Sequence, residues 1–135
     1  MGMEIIKGPV ENPYAELLGI RAELVERDHT VFTMEIRPDT CNPYGRVHGG
    51  ALFSLADTAG GFAARSDGRL YVTENADMRF LRGRREGRLR AEARVVHRGK
   101  TITLIRVEIR DGDGVLTATA ELGFFCTGEA AGAKG

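Results

Sequence analysis

The chain has 135 residues, 42% of them hydrophobic and 28% charged, and its nineteen Lys and Arg residues balance nineteen Asp and Glu residues. This length supports one domain that buries about two-thirds of its unfolded surface, so a core needs neither disulfides nor a structural metal. Zero net charge argues against a protein that coats nucleic acid, and no apolar run reaches the roughly 20 residues of a membrane span. With two cysteines and no signal-peptide pattern, we expect a cytoplasmic protein.

The first half of the chain is predicted to form a short helix, two strands and a long helix. Asn12 is placed as the N-cap of the short helix, with a proline at the first helical position. The segments 20–26 and 30–37 alternate weakly around a polar turn and suggest a hairpin. From Gly50 to about Arg65 apolar residues recur at helical spacing, and this is the long helix of the chain.

Four strands are predicted in the second half. The segment 70–81 is expected to place five apolar side chains on one face: Leu70, Val72, Ala76, Met78 and Phe80. Residues 87–126 alternate with period two around two glycine-containing turns, which predicts a three-stranded antiparallel meander. The sum is an α+β domain over residues 1–126, with five to six antiparallel strands and one long helix. Residues 127–135 are expected to form a flexible C-terminal tail.

The long helix is apolar around more than half of its circumference and carries one carboxylate, Asp57. Such a helix is expected to lie on one sheet face and to meet a second covering surface, which a symmetric dimer would supply. A buried carboxylate is costly without partners and has a raised pKa, as functional carboxylates often do. Asp57 is therefore either functional or held by a basic residue elsewhere. Gly60 and Gly61 are assigned to its face, where the absence of side chains leaves space or lets two helices approach.

The glycine pair Gly49 and Gly50 opens the long helix, so both backbone N–H groups are expected to be free. Such donors can bind an anion or polarise a carbonyl, and glycine allows close approach. Asp57 follows the glycine pair by two helical turns. The pattern therefore predicts that N–H groups able to polarise a carbonyl and a carboxylate lie at the same end of the helix. His48 is expected to hold the helix entry by hydrogen bonds. The spacing of the three histidines predicts no metal site, and Ser54 lacks the context of a catalytic nucleophile.

A basic strip runs from Arg79 to Arg90 and contains six arginines and one glutamate. It is either a solvated strand edge or a local anion site, and a phosphorylated substrate suits it better than nucleic acid because aromatic residues are scarce.

The run NPYGRVHGGALFSLADTA, from Asn42 to Ala59, resembles the hotdog-fold acyl-CoA thioesterases, in particular the PaaI-like group of the phenylacetate pathway. The likeness extends from about Asn12 to Phe125 and includes the NPY…LLG opening, the strand that ends in MRFLR and the RGKT turn. In that fold a sheet wraps one central helix, which matches the order of elements above.

The resemblance implies a role for each matching residue. Asp57 would activate water or attack the thioester carbonyl, the Gly49 amide would polarise the carbonyl oxygen, and the Asn42 side chain would assist. Thr73 would orient the water from the partner subunit, and His48 would be architectural. The implied substrate-binding positions are Gly50 and, for coenzyme A, Arg82, Gly83, Gly99 and Lys100.

The sequence therefore predicts an acyl-CoA thioesterase that acts on an acyl- or aryl-CoA without a metal or redox cofactor. We expect a homodimer or homotetramer with the active site at the subunit interface, and neither nucleic acid nor a membrane as partner. The main alternative is a hotdog protein that binds acyl-CoA without catalysis; a hydratase and a purely structural dimer fit less well. Glu74 and Asn75 are unusually polar for their strand, and the sequence gives no account of them.

Overall fold

A computed structural model describes residues 2–129 and contains one six-stranded antiparallel sheet and one long helix. The strands lie in the order β1-β2-β4-β5-β6-β3, so β1 and β3 are the two edges of the sheet. The α+β hotdog class predicted from the sequence is confirmed. The helices and strands are α1 (Pro13–Leu17), β1 (Arg21–Glu26), β2 (His29–Glu35), α2 (Gly49–Arg65), β3 (Arg69–Phe80), β4 (Arg88–Arg98), β5 (Ile102–Arg110) and β6 (Leu116–Glu129).

The core lies between α2 and the inner face of the sheet. Alternate residues of β4, β5 and β6 point inward and are buried, as the period-two pattern predicts. On α2 the side chains that face the sheet include Leu55, Ala59 and Ala63, none of which is exposed. The small alanines let the helix approach the strands closely, and Phe32 and Phe62 stack nearby with ring centroids 5.2 Å apart.

Strand β3 differs from the prediction because it contains a β-bulge. The pairing with β6 shifts register between Thr73 and Asn75, so two residues of β3 oppose Gly123. A Cβ on Gly123 would lie 3.2 Å from Glu74 Oε2, so the glycine makes room for this pair. A shift of one residue reverses which side chains face inward. The predicted common face from Leu70 to Phe80 is therefore wrong, and the bulge accounts for the polar Glu74 and Asn75.

The last strand is longer than predicted. β6 continues to Glu129, so the boundary placed at Thr127 is wrong, and the rest of the predicted tail, 130–135, lies outside the described residues. The alternation fades after Phe125, which is why the sequence pattern stops short. Among residues 2–129 no helix is long and apolar enough to cross a membrane.

Candidate active site

A cleft of about 510 Å³ opens between α1, the exposed side of α2 and the first half of β3. Asp57, in the middle of α2, lies in its wall, and we refer to it as the Asp57 cleft. Its polar side chains are set among aromatic ones, the composition typical of a ligand site. The lining residues are Asn12, Tyr14, Phe53, Ser54, Asp57, Thr58, Gly61, Phe62, Arg65, Tyr71, Val72, Thr73 and Phe124.

Asp57 and Thr73 form a hydrogen-bonded pair within one chain. The Thr73 hydroxyl donates to Asp57 Oδ1 at 2.7 Å. Burial raises the pKa of the Asp57 carboxyl above its usual range, and the hydrogen bond from Thr73 opposes part of that rise. A raised pKa makes the ionised carboxylate a stronger proton acceptor than an ordinary aspartate. The expectation that Thr73 comes from a partner subunit does not hold for this contact, since the two side chains of one chain already meet.

The start of α2 is capped by His48. Its Nδ1 accepts a hydrogen bond from the Gly50 N–H at 2.8 Å, and its carbonyl accepts from Ala51 and Leu52. This is the helix-entry geometry expected for His48. It also corrects the expectation for Gly50, whose N–H is not free. The Gly49 N–H, in contrast, has no acceptor among residues 2–129.

Asn42 lies beside Gly49 in a second, shallower depression. The Asn42 Oδ1 accepts from the backbone N–H groups of Tyr44 at 2.9 Å and Arg46 at 3.1 Å, which fixes the carboxamide plane. The Asn42 Nδ2 has no acceptor in the described part of the chain, so it stays available as a second donor. We call this surface the Gly49 depression; it is lined by Asn42, Arg46, Val47, Gly49, Leu52, Phe80, Leu81, Arg82 and Gly83.

The two surfaces are separate in one chain. Eight residues of helix place Gly49 and Asp57 about 12 Å apart along α2, so no single carbonyl can contact both. The prediction that they lie at one end of the helix is therefore wrong, because Asp57 is central in α2.

The predicted coenzyme A positions are also divided, between the end and the start of β3. Arg82 and Gly83 line the Gly49 depression. Gly99 and Lys100 lie by the start of β3, where Arg69 donates to the Gly99 carbonyl at 2.9 Å and to the Lys100 carbonyl at 2.7 Å. The start and end of a 12-residue strand are more than 30 Å apart, at about 3.3 Å per residue. One chain therefore does not bring the four residues together.

Comparison with known proteins decides the family. A model of the thioesterase superfamily matches residues 44–118. The chain belongs to this family. It is a PaaI-like thioester hydrolase, since it is 38% identical to the acyl-coenzyme A thioesterase PaaI of Escherichia coli K12 over 70% of this chain and 69% of the relative. It is also 28% identical to the 1,4-dihydroxy-2-naphthoyl-CoA hydrolase of the same organism, over 89% of this chain and 90% of that one.

Solved structures agree with the fold. The E. coli PaaI protein matches with a TM-score of 0.86 and 31% identity, over 89% of this chain and 88% of that one. A thioesterase protein from Streptococcus pneumoniae TIGR4, solved with coenzyme A, matches with a TM-score of 0.79 and 28% identity, over 82% and 88%. These matches favour the hydrolase over the alternative of a protein that only binds acyl-CoA.

The structure corrects the glycine assignment in this thioesterase. Gly61 lines the Asp57 cleft, but Gly60 faces the core, where a Cβ would lie 2.7 Å from Leu122 Cδ1. Gly60 therefore serves close packing of helix on sheet, while Gly61 alone leaves space beside Asp57.

Sequence reasoning missed several polar residues of the cleft. The Tyr14 hydroxyl and Ser54 Oγ lie 2.9 Å apart, and Ser54 also donates to the Gly50 carbonyl at 2.9 Å. Arg65 and Tyr71 complete the wall. Tyr14 lies two residues after the predicted cap at Asn12. Arg65 lies eight residues after Asp57, and this helical spacing is the signal that places it on the same side of α2.

Proposed function

We propose that the protein hydrolyses the thioester of an acyl- or aryl-coenzyme A in an active site shared by two copies of the chain. The observation that carries this proposal is the separation of the site into two halves. The Asp57 cleft holds a carboxylate with a raised pKa. The Gly49 depression holds the free Gly49 N–H and the Asn42 Nδ2, which can donate to an oxyanion, but no carboxylate. The carboxylate and these two donors therefore lie on different surfaces of one chain.

The free edge of β3 offers a way for the halves to meet. β3 is 12 residues long and lies at the edge of the sheet, with Val72 53% exposed and Phe80 55% exposed. A long exposed edge strand presents unpaired backbone N–H and C=O groups and is a template for pairing with a second strand. Pairing with a second copy would be antiparallel about a two-fold axis, the commonest symmetry of soluble oligomers.

The same two-fold axis would bring together the two parts of the catalytic site and the two parts of the predicted coenzyme A site. The Asp57 cleft adjoins the first half of β3 through Thr73, and the Gly49 depression adjoins its end, where a Cβ on Gly49 would lie 3.5 Å from the Phe80 ring. Antiparallel pairing sets the first half of one β3 beside the end of the other. It would therefore carry Asp57 toward Gly49 of the partner subunit. It would also carry Lys100 toward Arg82 of the partner subunit.

The chemistry then follows from the two halves. Asp57 takes a proton from a water molecule as the water oxygen bonds to the thioester carbon, or the carboxylate itself attacks that carbon and water later cleaves the anhydride. The carbonyl oxygen becomes negative and is held by the N–H of the partner's Gly49 and the Nδ2 of the partner's Asn42. Collapse of this intermediate breaks the carbon–sulfur bond, and the thiolate leaves with the electron pair and is protonated. The products are a free acid and coenzyme A.

Coenzyme A is favoured as the thiol carrier by both the chain and its relatives. The relatives named above act on coenzyme A thioesters or were solved with coenzyme A. In this chain Arg82 and Lys100 would provide cationic groups for its phosphates where the two copies meet.

Release of free thiol from a panel of acyl- and aryl-CoAs tests the proposal. The wild-type protein is expected to release coenzyme A, and Asp57→Asn is expected to lose about 10²- to 10⁴-fold in kcat, the usual share of a general base. The variant should remain folded, because burial opposes ionisation of Asp57 and the neutral amide avoids that cost. Undiminished turnover by a folded Asp57→Asn protein would remove Asp57 from the mechanism.

A further inference from the structure

Arg65, the last residue of α2, is an unpaired cation in the wall of the Asp57 cleft. Asp57, Gly61 and Arg65 follow one another at intervals of four residues, so they line one side of the helix. Helical side chains lean toward the helix N-terminus, so the Arg65 side chain lies back along the preceding turn. Its Cζ accordingly lies over the ring of Phe62, three residues earlier, at 5.5 Å from the centroid.

Most of the hydrogen-bonding capacity of Arg65 is unused. A guanidinium has five N–H donors. Arg65 Nη2 donates to the carbonyls of Lys7 and Pro9, each at 2.6 Å. Arg65 Nε is buried without a partner, and Nη1 has no acceptor among the described residues.

No carboxylate compensates the charge of Arg65. The ion pairs formed within residues 2–129 do not include it. Burial lowers the pKa of the Arg65 guanidinium, the direction expected for a cation that has lost water without gaining a counter-ion. A partly desolvated arginine with a free Nη1 amino group in a cleft is suited to a charge-assisted hydrogen bond to an anion.

We propose that Arg65 forms an anion subsite in the Asp57 cleft and binds a negatively charged group of the thioester substrate. This inference rests on the proposed function. Two parts of such a substrate can supply the anion: a carboxylate at the far end of the acyl group, or a phosphate of coenzyme A. The shared chemistry is an oxyanion that accepts a hydrogen bond from the Nη1 amino group of Arg65.

Four substrates separate the two sources. Glutaryl and pentanoyl thioesters have the same number of carbons and differ by one terminal carboxylate. Each is prepared on coenzyme A and on N-acetylcysteamine, which has the same thioester but no phosphate. The kcat/KM values give a charge ratio, glutaryl over pentanoyl, and a carrier ratio, coenzyme A over N-acetylcysteamine.

The Arg65→Gln variant is expected to lower one of these ratios about 10- to 100-fold, the loss expected for charged hydrogen bonds. A fall in the charge ratio assigns the anion to the acyl group, and a fall in the carrier ratio assigns it to a phosphate. Arg65→Lys keeps the charge but loses the planar guanidinium that the Lys7 and Pro9 carbonyls hold in place, so it should recover the affected ratio only in part. If neither ratio changes in Arg65→Gln, the subsite does not exist.

Gly8→Ala is the matched control for a purely structural role of Arg65. Gly8 lies between the two carbonyls that Arg65 holds, and its positive φ of 80° strains any other residue there. This variant should lower the unfolding temperature and leave both ratios unchanged. An equal shift of the ratios in Gly8→Ala and Arg65→Gln would mean that Arg65 acts only by holding the N-terminal segment.

Binding measured by calorimetry tests the anion subsite independently of the proposed hydrolysis. With Asp57→Asn as background, the dissociation constants of the four thioesters give the same two ratios without turnover. A protein that binds with an Arg65-dependent ratio but never releases thiol would retain the subsite and disprove the hydrolysis. A protein that hydrolyses all four thioesters with ratios independent of Arg65 would support the hydrolysis and disprove the subsite.

Discussion

Asp57 is an acid whose environment opposes its ionisation, and Thr73 is the side chain that favours it. Burial raises the pKa of Asp57, while the hydrogen bond from Thr73 lowers it. If the ionised carboxylate is the active form, kcat/KM should rise with pH through a midpoint above the ordinary range of aspartic acid.

Removal of the Thr73 hydroxyl should move this midpoint to higher pH, because only the raising effect of burial remains. We therefore expect the acid limb of the kcat/KM profile to shift upward in Thr73→Val and to stay in place in Thr73→Ser, which keeps the donor. A downward shift in Thr73→Val would show that the hydroxyl does not stabilise the carboxylate.

Gly49 allows its amide to be tested without loss of the helix. It is the first residue of α2, where proline is tolerated because the N–H makes no helical bond, and His48 has the extended φ of −68° and ψ of 139° that precede proline. Gly49→Pro should lower kcat about 10²- to 10³-fold through loss of one oxyanion donor. Gly49→Ala keeps the N–H and places its Cβ 3.5 Å from Phe80, so it should remain active. Equal activity of both variants would exclude the amide from catalysis.

At the scale of elements, the two adjacent glycines of α2 should respond oppositely to alanine. A Cβ on Gly60 would lie 2.7 Å from Leu122 Cδ1 in a closed core, so Gly60→Ala should destabilise the fold by about 1 kcal/mol or more. A Cβ on Gly61 would lie 3.8 Å from Phe124, an ordinary contact, so helix propensity should stabilise Gly61→Ala by about 0.5–1 kcal/mol. Urea unfolding measures both changes. Destabilisation of the same size in both would mean that packing does not distinguish them.

Most of the helices and strands were predictable from the sequence, and β3 is the exception. Period-two alternation located β4, β5 and β6, and helical spacing located α2, because each pattern reports a buried face. The bulge in β3 left no such signal. It depends on a glycine, Gly123, that lies on another strand and leaves room for Glu74 and Asn75. Only the pairing of β3 with β6 explains why Thr73 can turn toward Asp57.

At the scale of the whole molecule, Arg98, the last residue of β4, connects the end of α2 to the turn between β1 and β2 and to the segment before β3. It donates to the carbonyls of Ala63 and Ala64, pairs with Asp28 at 2.8 Å and approaches Asp67 at 3.0 Å. The side chains of Arg98 and Asp67 are 15% and 6% exposed. Burial would raise the pKa of Asp67, but hydrogen bonds from Arg69 and Tyr71 and the charge of Arg98 bring it below its usual range.

Loss of Arg98 should therefore destabilise the fold strongly. Arg98→Ala leaves Asp67 with Arg69 as its remaining cation. It also removes the hydrogen bonds to the carbonyls of Ala63 and Ala64, and we expect a loss of about 2–3 kcal/mol in the free energy of unfolding. Arg94→Ala on the same strand removes an arginine that is 62% exposed, and it should cost about 1 kcal/mol or less. Because the pKa of Asp67 is lowered, its contribution is present above its unfolded pKa and is lost as pH falls through the folded value. Equal effects of the two variants in urea unfolding at pH 7 would contradict this role.

The site residues and their place at a subunit interface were predicted from the family resemblance, but the division of Gly49 and Asp57 between two surfaces of one chain was not. The positions of Asp57, Gly49 and Asn42 follow from the motif. The distance of about 12 Å between Gly49 and Asp57 follows from helix geometry, and it is the basis of the proposal that two copies of the chain share the site. Arg65 was missed because an arginine at the end of a helix usually stays in solvent, and the sequence does not show that it lies in the cleft.

Mixed dimers test most directly whether two copies share the site. Asp57→Asn and Gly49→Pro, each inactive alone, are co-expressed with different tags, and the doubly tagged protein is isolated and assayed for thiol release. One of its two sites then combines an intact Asp57 with an intact Gly49 from the other chain, so we predict about half of the wild-type turnover per dimer. A doubly tagged protein as inactive as its two parents would contradict the shared site.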